Sequence, residues 1–583
     1  MGPDSLPANA AGCSSADIIA VSQDALDGSK PLRYWLASGG IVIVPGLPLL
    51  EAPAYVPASA ILQTAKSGKV PIIKLTGRPN GQTLLAHGAM PLVYEQRVGL
   101  GKVIYLAFNP SDRALLKQPA YDILWRQILQ SACSGRAARH VDGPWDATWL
   151  ERMSRQGMKV DPPKVHMIAS FLGAYILLLI PVNYFVLRRL RRKELAWITI
   201  PALVIIFSLF AYAAGSVSRE KKLIAGYAQV FETAAGSGAA EYHGNLSLMS
   251  PNRSRHTIEF PDPSALVSDT GFGGSAGAFP ILQSVRPKQS VILPDTHLFM
   301  WSVRTLAFQG IRPMPGIVSA DLTTDGARVK GTISSSLSFP LKDCILYGDR
   351  FEKEIGELLP GAIIRIDEPY KLVFKGVRNR PYDQHIRHFP WNTRLTELNP
   401  ERLTLSGTPE SKDGRIPIEG AKVDLSFDIS YVHIYPRWVN GPDGKVTGSV
   451  AGVTSDHDSY YGSTVINGSK AIHDGRLEAT IQLFRNTDCV MQYRLPPFAA
   501  LAGLSLYLGL DHPAPIQAQA FDNQAQKWVE LGSLSKSGRL PIPNPRRVIG
   551  RGGVVEIRLK STDTQTSTSV NVNARLEFQG RVK

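Results

Sequence analysis

Cysteine is nearly missing from this chain: Cys13, Cys133, Cys344 and Cys489 are the four in 583 residues. So few exclude a scaffold built on disulfides. No two of them stand in CxxC spacing, so a cysteine zinc site is not expected either. HExxH, Walker A and dinucleotide-binding fingerprints are also absent. Charged residues make up 19% and hydrophobic residues 44%, too apolar a balance for a disordered chain. The opening MGPDSLPANAAGCSSAD has no apolar stretch, so it is not a signal sequence. Leu6 stands where a myristoylation signal needs Ser or Thr. At roughly 100–200 residues per domain, the length implies about three domains.

The most informative absence is local. Val165 to Leu187 (VHMIASFLGAYILLLIPVNYFVL) holds no Asp, Glu, Lys or Arg, and neither does Leu195 to Gly215 (LAWITIPALVIIFSLFAYAAG). A hydrocarbon core of about 30 Å takes roughly 20 apolar residues as a helix. Both runs are therefore expected to be transmembrane helices, 165–187 and 195–215. Trp197, Tyr184 and Tyr212 fall near their ends, where aromatic rings favour the interface. Pro181 and Pro201 lie inside them, as membrane helices tolerate. Between the runs, in a loop spanning 188–194, stand Arg188, Arg189, Arg191, Arg192 and Lys193. A loop this short makes a hairpin, so the chain before it and the chain after it share one side. Basic residues abutting both apolar runs put the loop in the cytoplasm and both soluble parts outside it. The net charge of +15 is then read as a membrane-surface feature and not as a nucleic-acid site. An exported first domain without a signal sequence suggests a chain that begins part-way into a longer protein. It would leave an open sheet edge or exposed apolar face near Ile18 and Ile43.

Before the hairpin, Asp17 to Val21 reads as a buried strand. A helix carrying Leu32, Trp35 and Leu36 follows, Gly39-Gly40 ends it, and Ile41 to Val44 is a second strand. Strand–helix–strand with short turns implies a parallel sheet. Pro91 to Val98 and Lys102 to Phe108 are two strands about Gly99-Leu100-Gly101, and Tyr121 to Leu129 is a closing helix.

The segment LPANAAGCSSADIIAVSQDALDGSKPLRYWLASGGIVIVPG resembles the class I glutamine amidotransferase-like part of a family of bacterial membrane proteins. RVGLGKVIYLAFNPSD is similar to that family's late hairpin, and PVNYFVLRRLRRKELAWITIPALVIIFSLFAY to its membrane hairpin. The resemblance implies an extracytoplasmic flavodoxin-like domain, two membrane helices and C-terminal β-sandwiches. It does not bring catalysis. Such an amidotransferase needs a nucleophilic Cys on a strained strand-to-helix turn, paired with His and Glu. Cys13 precedes a strand and Cys133 ends a helix.

After about Leu223, strand-like runs recur between turn residues: Cys344 to Tyr347, Ala362 to Ile366, Lys371 to Phe374, Asp424 to Ile434, Leu477 to Phe484 and Val554 to Leu559. This pattern predicts antiparallel sandwiches. Ala518 to Leu531 with Trp528, and Gly552-Gly553 before a strand, resemble the end of a galactose-binding-like jelly roll, with Trp528 expected in its core. Gly273-Gly274-Ser275-Ala276-Gly277 matches GxSxG but lies in a glycine-rich loop and not on a nucleophile elbow. Asp456-His457-Asp458 reads as a solvated loop and not as a Ca²⁺ site.

The expected organisation is an α/β domain over 1–140, a linker over 141–164, the hairpin, a β-sandwich over 216–385 and a jelly-roll-like sandwich over 386–583. The expected function is a non-catalytic, membrane-anchored scaffold or envelope-assembly component of the bacterial inner membrane. No cofactor, metal or nucleic acid is expected. The partners are the lipid bilayer and other envelope or membrane proteins. The alternative is a glycan-binding or carbohydrate-active envelope protein acting through the jelly roll.

Overall fold

The computed structural model describes residues 13, 16, 18–46, 54–62, 69–73, 75, 81–116, 118, 120–133, 150–155, 165–189, 195–217, 223–250, 252–262, 265–269, 279–280, 284–286, 290–300, 302–348, 351–369, 402–410, 421–451, 453–454, 464–465, 471–473, 476–478, 481–483, 488–510, 512–562 and 570–582.

The first domain is built on five strands: β1 (Ile18–Ala20), β2 (Ile41–Val44), β3 (Gly81–His87), β4 (Met90–Val98) and β5 (Gly101–Leu106), in the order β1-β2-β5-β4-β3. β1, β2 and β5 are parallel, and the β5-β4-β3 half is antiparallel. Every residue of β2 is buried, as a strand covered on both faces requires. One face packs on α1 (Gln23–Gly28) and α2 (Lys30–Ala37), through Leu26, Leu32, Trp35 and Leu36. Ser22 and Ser29 cap the two helices with their side-chain oxygens. The other face packs on α3 (Ala120–Cys133), through Leu124 and Ile128. The result is three layers, helix–sheet–helix. β1 does lie at the sheet edge, but Ile43 is buried, so the apolar face expected to be exposed there is covered.

Beyond the apolar helices a nine-stranded sheet begins. Its main strands are β6 (Leu223–Ala234), β7 (Ala239–Met249), β8 (Leu266–Asp269), β9 (Val303–Pro313), β10 (Leu341–Gly348), β11 (Phe351–Leu358), β12 (Leu403–Pro409) and β13 (Ala421–Ile434). Starting from the two-residue strand Phe279–Pro280, the order is β8-β9-β7-β6-β13-β12-β10-β11. β13 runs parallel to β6, from Ala421 opposite Leu223 to His433 opposite Ala234. Two smaller sheets complete two hydrophobic cores with this long one. Ser254–Phe260, Ser284–Arg286 and Ser290–Leu298 form the first, burying Ile258, Phe260 and Leu293 with Tyr227, Leu246 and Phe308. Val318–Thr324, Arg328–Ser335, Ile363–Pro369 and Arg437–Trp438 form the second, burying Leu322, Val329 and Ile333 with Leu346, Phe351 and Leu405.

The expected 216–385 sandwich is thus two sandwiches sharing one sheet, and its end moves. β12 and β13 were expected to lie in the next domain, yet they pair with β10 and β6. Lys371 to Phe374 lies outside the described residues.

The terminal sandwich starts near Val446 and not at 386. Its strands include β14 (Asp488–Arg494), β15 (Phe498–Leu510), β16 (Ile516–Asp522), β17 (Lys527–Leu534), β18 (Val554–Ser561) and β19 (Val570–Val582). β15 and β19 lead one sheet; β14, β18, β16 and β17 lie side by side in the other. Leu506, Leu508, Leu576 and Phe578 meet Met491, Tyr493, Ile516, Val555, Ile557 and Leu559 between them. The expected strand 477–484 is instead two short ones, Arg476–Glu478 and Ile481–Leu483.

Candidate functional site

The apolar hairpin is the first candidate. After the short helix α4 (150–155), α5 (Val165–Leu177) runs through a π-helical turn, Leu178–Val182, into α6 (Asn183–Arg189). Pro181 lies in that turn, where its missing N–H breaks the ordinary hydrogen-bond ladder. α7 (Ala196–Val217) follows. The helices touch through Phe171 and Tyr175 against Phe207, with ring centroids 5.5 and 5.1 Å apart. Thr199 Oγ1 donates to Asn183 Oδ1 at 3.0 Å across the pair. The outward side chains are bare: Trp197 is 76% exposed and Ile205 60%. Ala169–Arg189 is long and apolar enough to cross a membrane by length and composition. The apolar helix Ala196–Tyr212 is shorter, so one helix and not two meets that length. Arg188 and Arg189 end α6 and are exposed, while Arg191, Arg192 and Lys193 lie outside the described residues.

The second candidate is a buried charge cluster joining the first domain to the terminal sandwich. Glu95 of β4 is 4% exposed and Arg494 of β14 is also buried. Arg494 Nη2 donates to Glu95 Oε1 at 2.5 Å, across 399 residues of sequence. Ser131 of α3 donates from Oγ to Glu95 Oε2 at 3.0 Å. Lys102 of β5 lies 3.8 Å from Glu95 and donates to the Ser131 carbonyl at 2.8 Å, where a cation suits a helix C-terminus. Burial alone pushes the Glu95 carboxyl up; Lys102, Arg494 with its hydrogen bond, and Arg97 outweigh it and hold it at about 2. The turn Arg551–Gly553 completes the contact. Gly552 has φ +69°, and a Cβ there would stand 2.3 Å from Ser131 Oγ. Burial lowers the Arg551 guanidinium to about 10. Nearby, Arg126 of α3 stacks 4.6 Å from the Phe521 ring and lies 3.8 Å from Glu556. The first domain also meets the nine-stranded sheet: Ile311 of β9 joins the α2 core, and Arg97 lies 3.7 Å over the Tyr435 ring.

The third candidate is a cavity of about 300 Å³ on the nine-stranded sheet. Gln229 and Phe231 of β6, Asp428 and Ser430 of β13 and Arg312 of β9 form one side. Pairing of Gln229 with Asp428 and of Phe231 with Ser430 brings these four together. Met314, Phe339 and Pro409 supply apolar walls. Arg312 sits 4.4 Å over the Phe231 ring. Arginine, carboxylate, hydroxyl and amide beside apolar walls can hold a small polar ligand.

The residues singled out by sequence fall elsewhere. Cys13 is buried against the α2 core, and burial raises its thiol. Ser275, Asp456, His457, Asp458 and the Cys133 side chain lie outside the described residues. Trp528 is not in the terminal core; it is half-buried on β17, 4.4 Å under Arg558 and edge-on to Phe521. Among the described residues, no group of three His, Cys, Asp or Glu side chains is placed to hold a metal ion. Sequence reasoning missed Glu95 and Arg494. The one signal was a carboxylate directly following the apolar run Leu92 to Tyr94.

Residues 317–412 match a domain of unknown function, DUF8725. That segment begins with the second small sheet and ends just after β12. No curated protein matches the chain. The yeast δ-COP-I μ-homology domain is similar at 11% identity, covering 37% of this chain and 97% of its own, with TM-score 0.22. A Caldicellulosiruptor saccharolyticus family 27 carbohydrate-binding module in complex with mannohexaose is similar at 12% identity. It covers 24% of this chain and 92% of its own, with TM-score 0.15. At such scores these likenesses carry no argument for function.

Proposed function

We propose that this chain is a non-catalytic scaffold or assembly component of the bacterial inner membrane, anchored by the hairpin, with both soluble parts outside the cytoplasm. The observation that carries this reading is the Glu95–Arg494 contact. Glu95 precedes the hairpin and Arg494 follows it. Two side chains in hydrogen-bond contact lie on one side of a bilayer, so the chain between them crosses an even number of times. α5 with α6 spans about 37 Å at 1.5 Å per residue; α7 spans about 33 Å, and a second crossing by it uses this whole length, since its apolar stretch, Ala196–Tyr212, is shorter. The exposed apolar faces support lipid as their solvent, since soluble chains rarely present patches this large to water. Arg188, Arg189, Arg191, Arg192 and Lys193 would hold the loop in the cytoplasm. The helix–sheet–helix first domain supports the amidotransferase-like reading of its ancestry, without its chemistry.

The test is labelling of intact cells with an impermeant thiol reagent, against the unsubstituted chain as blank. Cysteine at Asp27 or Lys536, both exposed, is expected to react, and cysteine at Arg191 only after lysis. Reaction at Arg191 without reaction at the other two overturns the orientation. Reaction at Asp27 and not Lys536 overturns the hairpin.

A second reading, glycan binding, is favoured by one surface. The outer face of β17, β16 and β18 carries Trp528 beside Gln517, Gln519 and Glu530. Arg558 covers one face of the Trp528 ring, which leaves less of it for a sugar. Retention of the chain on envelope polysaccharide, lost in Trp528→Ala, would favour this reading.

A further inference from the structure

We propose that Phe299 and Met300, at the β9 end of the nine-stranded sheet, form a wedge that enters the headgroup layer of the same bilayer. This rests on the membrane reading above.

The sheet register sets the geometry. Ile224 of β6 pairs with Met249 of β7, which pairs with Val303 of β9, so these three residues mark one end of the sheet. Neighbouring strands are about 4.8 Å apart, which places Val303 roughly 10 Å from Ile224. The isolated bridge between Ser250 and Met300 keeps Met300 at that same end. The hairpin leaves from there too. Five residues separate Val217, the last of α7, from Leu223, the first of β6, so six Cα–Cα steps reach at most about 21 Å. On the other tether, Ser154 in helix 150–155 contacts Ser247 of β7 at 2.6 Å, and Ser247 contacts Thr305 of β9. Both connections to the membrane helices therefore approach this end.

What stands at this end suits lipid. Phe299 is 53% exposed and Met300 59%. Arg253 lies 6.0 Å over the Phe299 ring, Arg255 pairs with His297 two residues before it, and Arg304 donates to the His297 carbonyl at 3.1 Å. Neither 249–256 nor 297–304 contains an Asp or Glu. Apolar side chains beside three arginines, on two segments that contain no carboxylate, match an anionic headgroup surface, as in interfacial segments that bury about 5–10 Å deep.

The test uses the full chain in vesicles of phosphatidylethanolamine and phosphatidylglycerol, with a fluorophore on one introduced cysteine at a time. Some vesicles carry lipid with a nitroxide near the headgroup, others at mid-chain. A probe at Met300→Cys is expected to be quenched about twofold more by the headgroup nitroxide than by the mid-chain one. At Ile205→Cys the order reverses, and at Lys536→Cys neither quenches. No quenching at Met300 with quenching retained at Ile205 overturns the wedge and leaves the anchor standing. No quenching at Ile205 overturns the membrane reading and the wedge with it.

Discussion

An amphipathic helix and an apolar helix place their large side chains in opposite ways in this chain. α2 turns Leu32, Trp35 and Leu36 onto the parallel sheet, and Trp35 is fully buried. α7 is apolar all round and shows Trp197, Ile205 and Leu209 to its surroundings. Water rewards the first arrangement at roughly 25 cal/mol per Å² of apolar surface removed from it. It offers the second nothing, whereas the proposed membrane anchor would give it lipid as its solvent. The charge cluster at Glu95 ties the comparison together, because it joins the soluble parts on either side of the apolar pair.

The largest effect is expected at the cluster. Arg494→Ala leaves Glu95 buried without its main partner, and breaking a buried pair costs about 3–5 kcal/mol. Thermal or denaturant unfolding should show it as early release of the first domain from the terminal sandwich. The same group sets a pH dependence. Glu95 in the fold sits at about 2, below its ordinary 4.5. Its contribution is therefore full above 4.5 and lost as pH falls through about 2. Stability measured across that window should decline in the native chain and decline less in Glu95→Gln.

The comparison of solvents is sharpened by placing one charge in two exposed positions. Ile205→Arg in α7 should cost about 2.5–3.5 kcal/mol of membrane insertion. Ile363→Arg, on a strand and 70% exposed, should stay within about 0.5 kcal/mol in unfolding. Equal small effects at both would break the distinction. Next, Gly552→Ala forces a side chain onto a left-handed φ facing Ser131, at a cost of about 1–2 kcal/mol. Limited proteolysis between the domains reads that loss. The smallest effect is Thr199→Val, which removes the hydrogen bond to Asn183. Interhelical bonds in membranes average about 0.6 kcal/mol, and pairing of the two helices reports it.

Local pattern made much of the fold legible. The all-apolar run Ile41–Val44, the Gly-Gly stop after α2, the hairpin of β4 and β5 and the two uncharged helices all carry their periodicity in a few neighbouring residues. The shared nine-stranded sheet did not read out. β13 lies beside β6 only after about 200 intervening residues, and nothing in either strand names the other. That is why the domain boundary near 385 fell inside a sheet. Trp528 was misread for a related reason: alternation says which side chains share a face, not which face turns inward. Glu95 and Arg494 share no local pattern at all, so their pairing exists only in the folded chain.

The central claim is that these two residues touch while the hairpin is in the bilayer. A double-mutant cycle in the membrane-reconstituted full chain tests it most directly, with Glu95→Gln, Arg494→Met and the double variant compared by unfolding. The account predicts a coupling in the range of about 0.5–3 kcal/mol, with the double variant more stable than the two losses added together. Strict additivity of the two losses would contradict it, and with it the placement of both soluble parts on one side of the membrane.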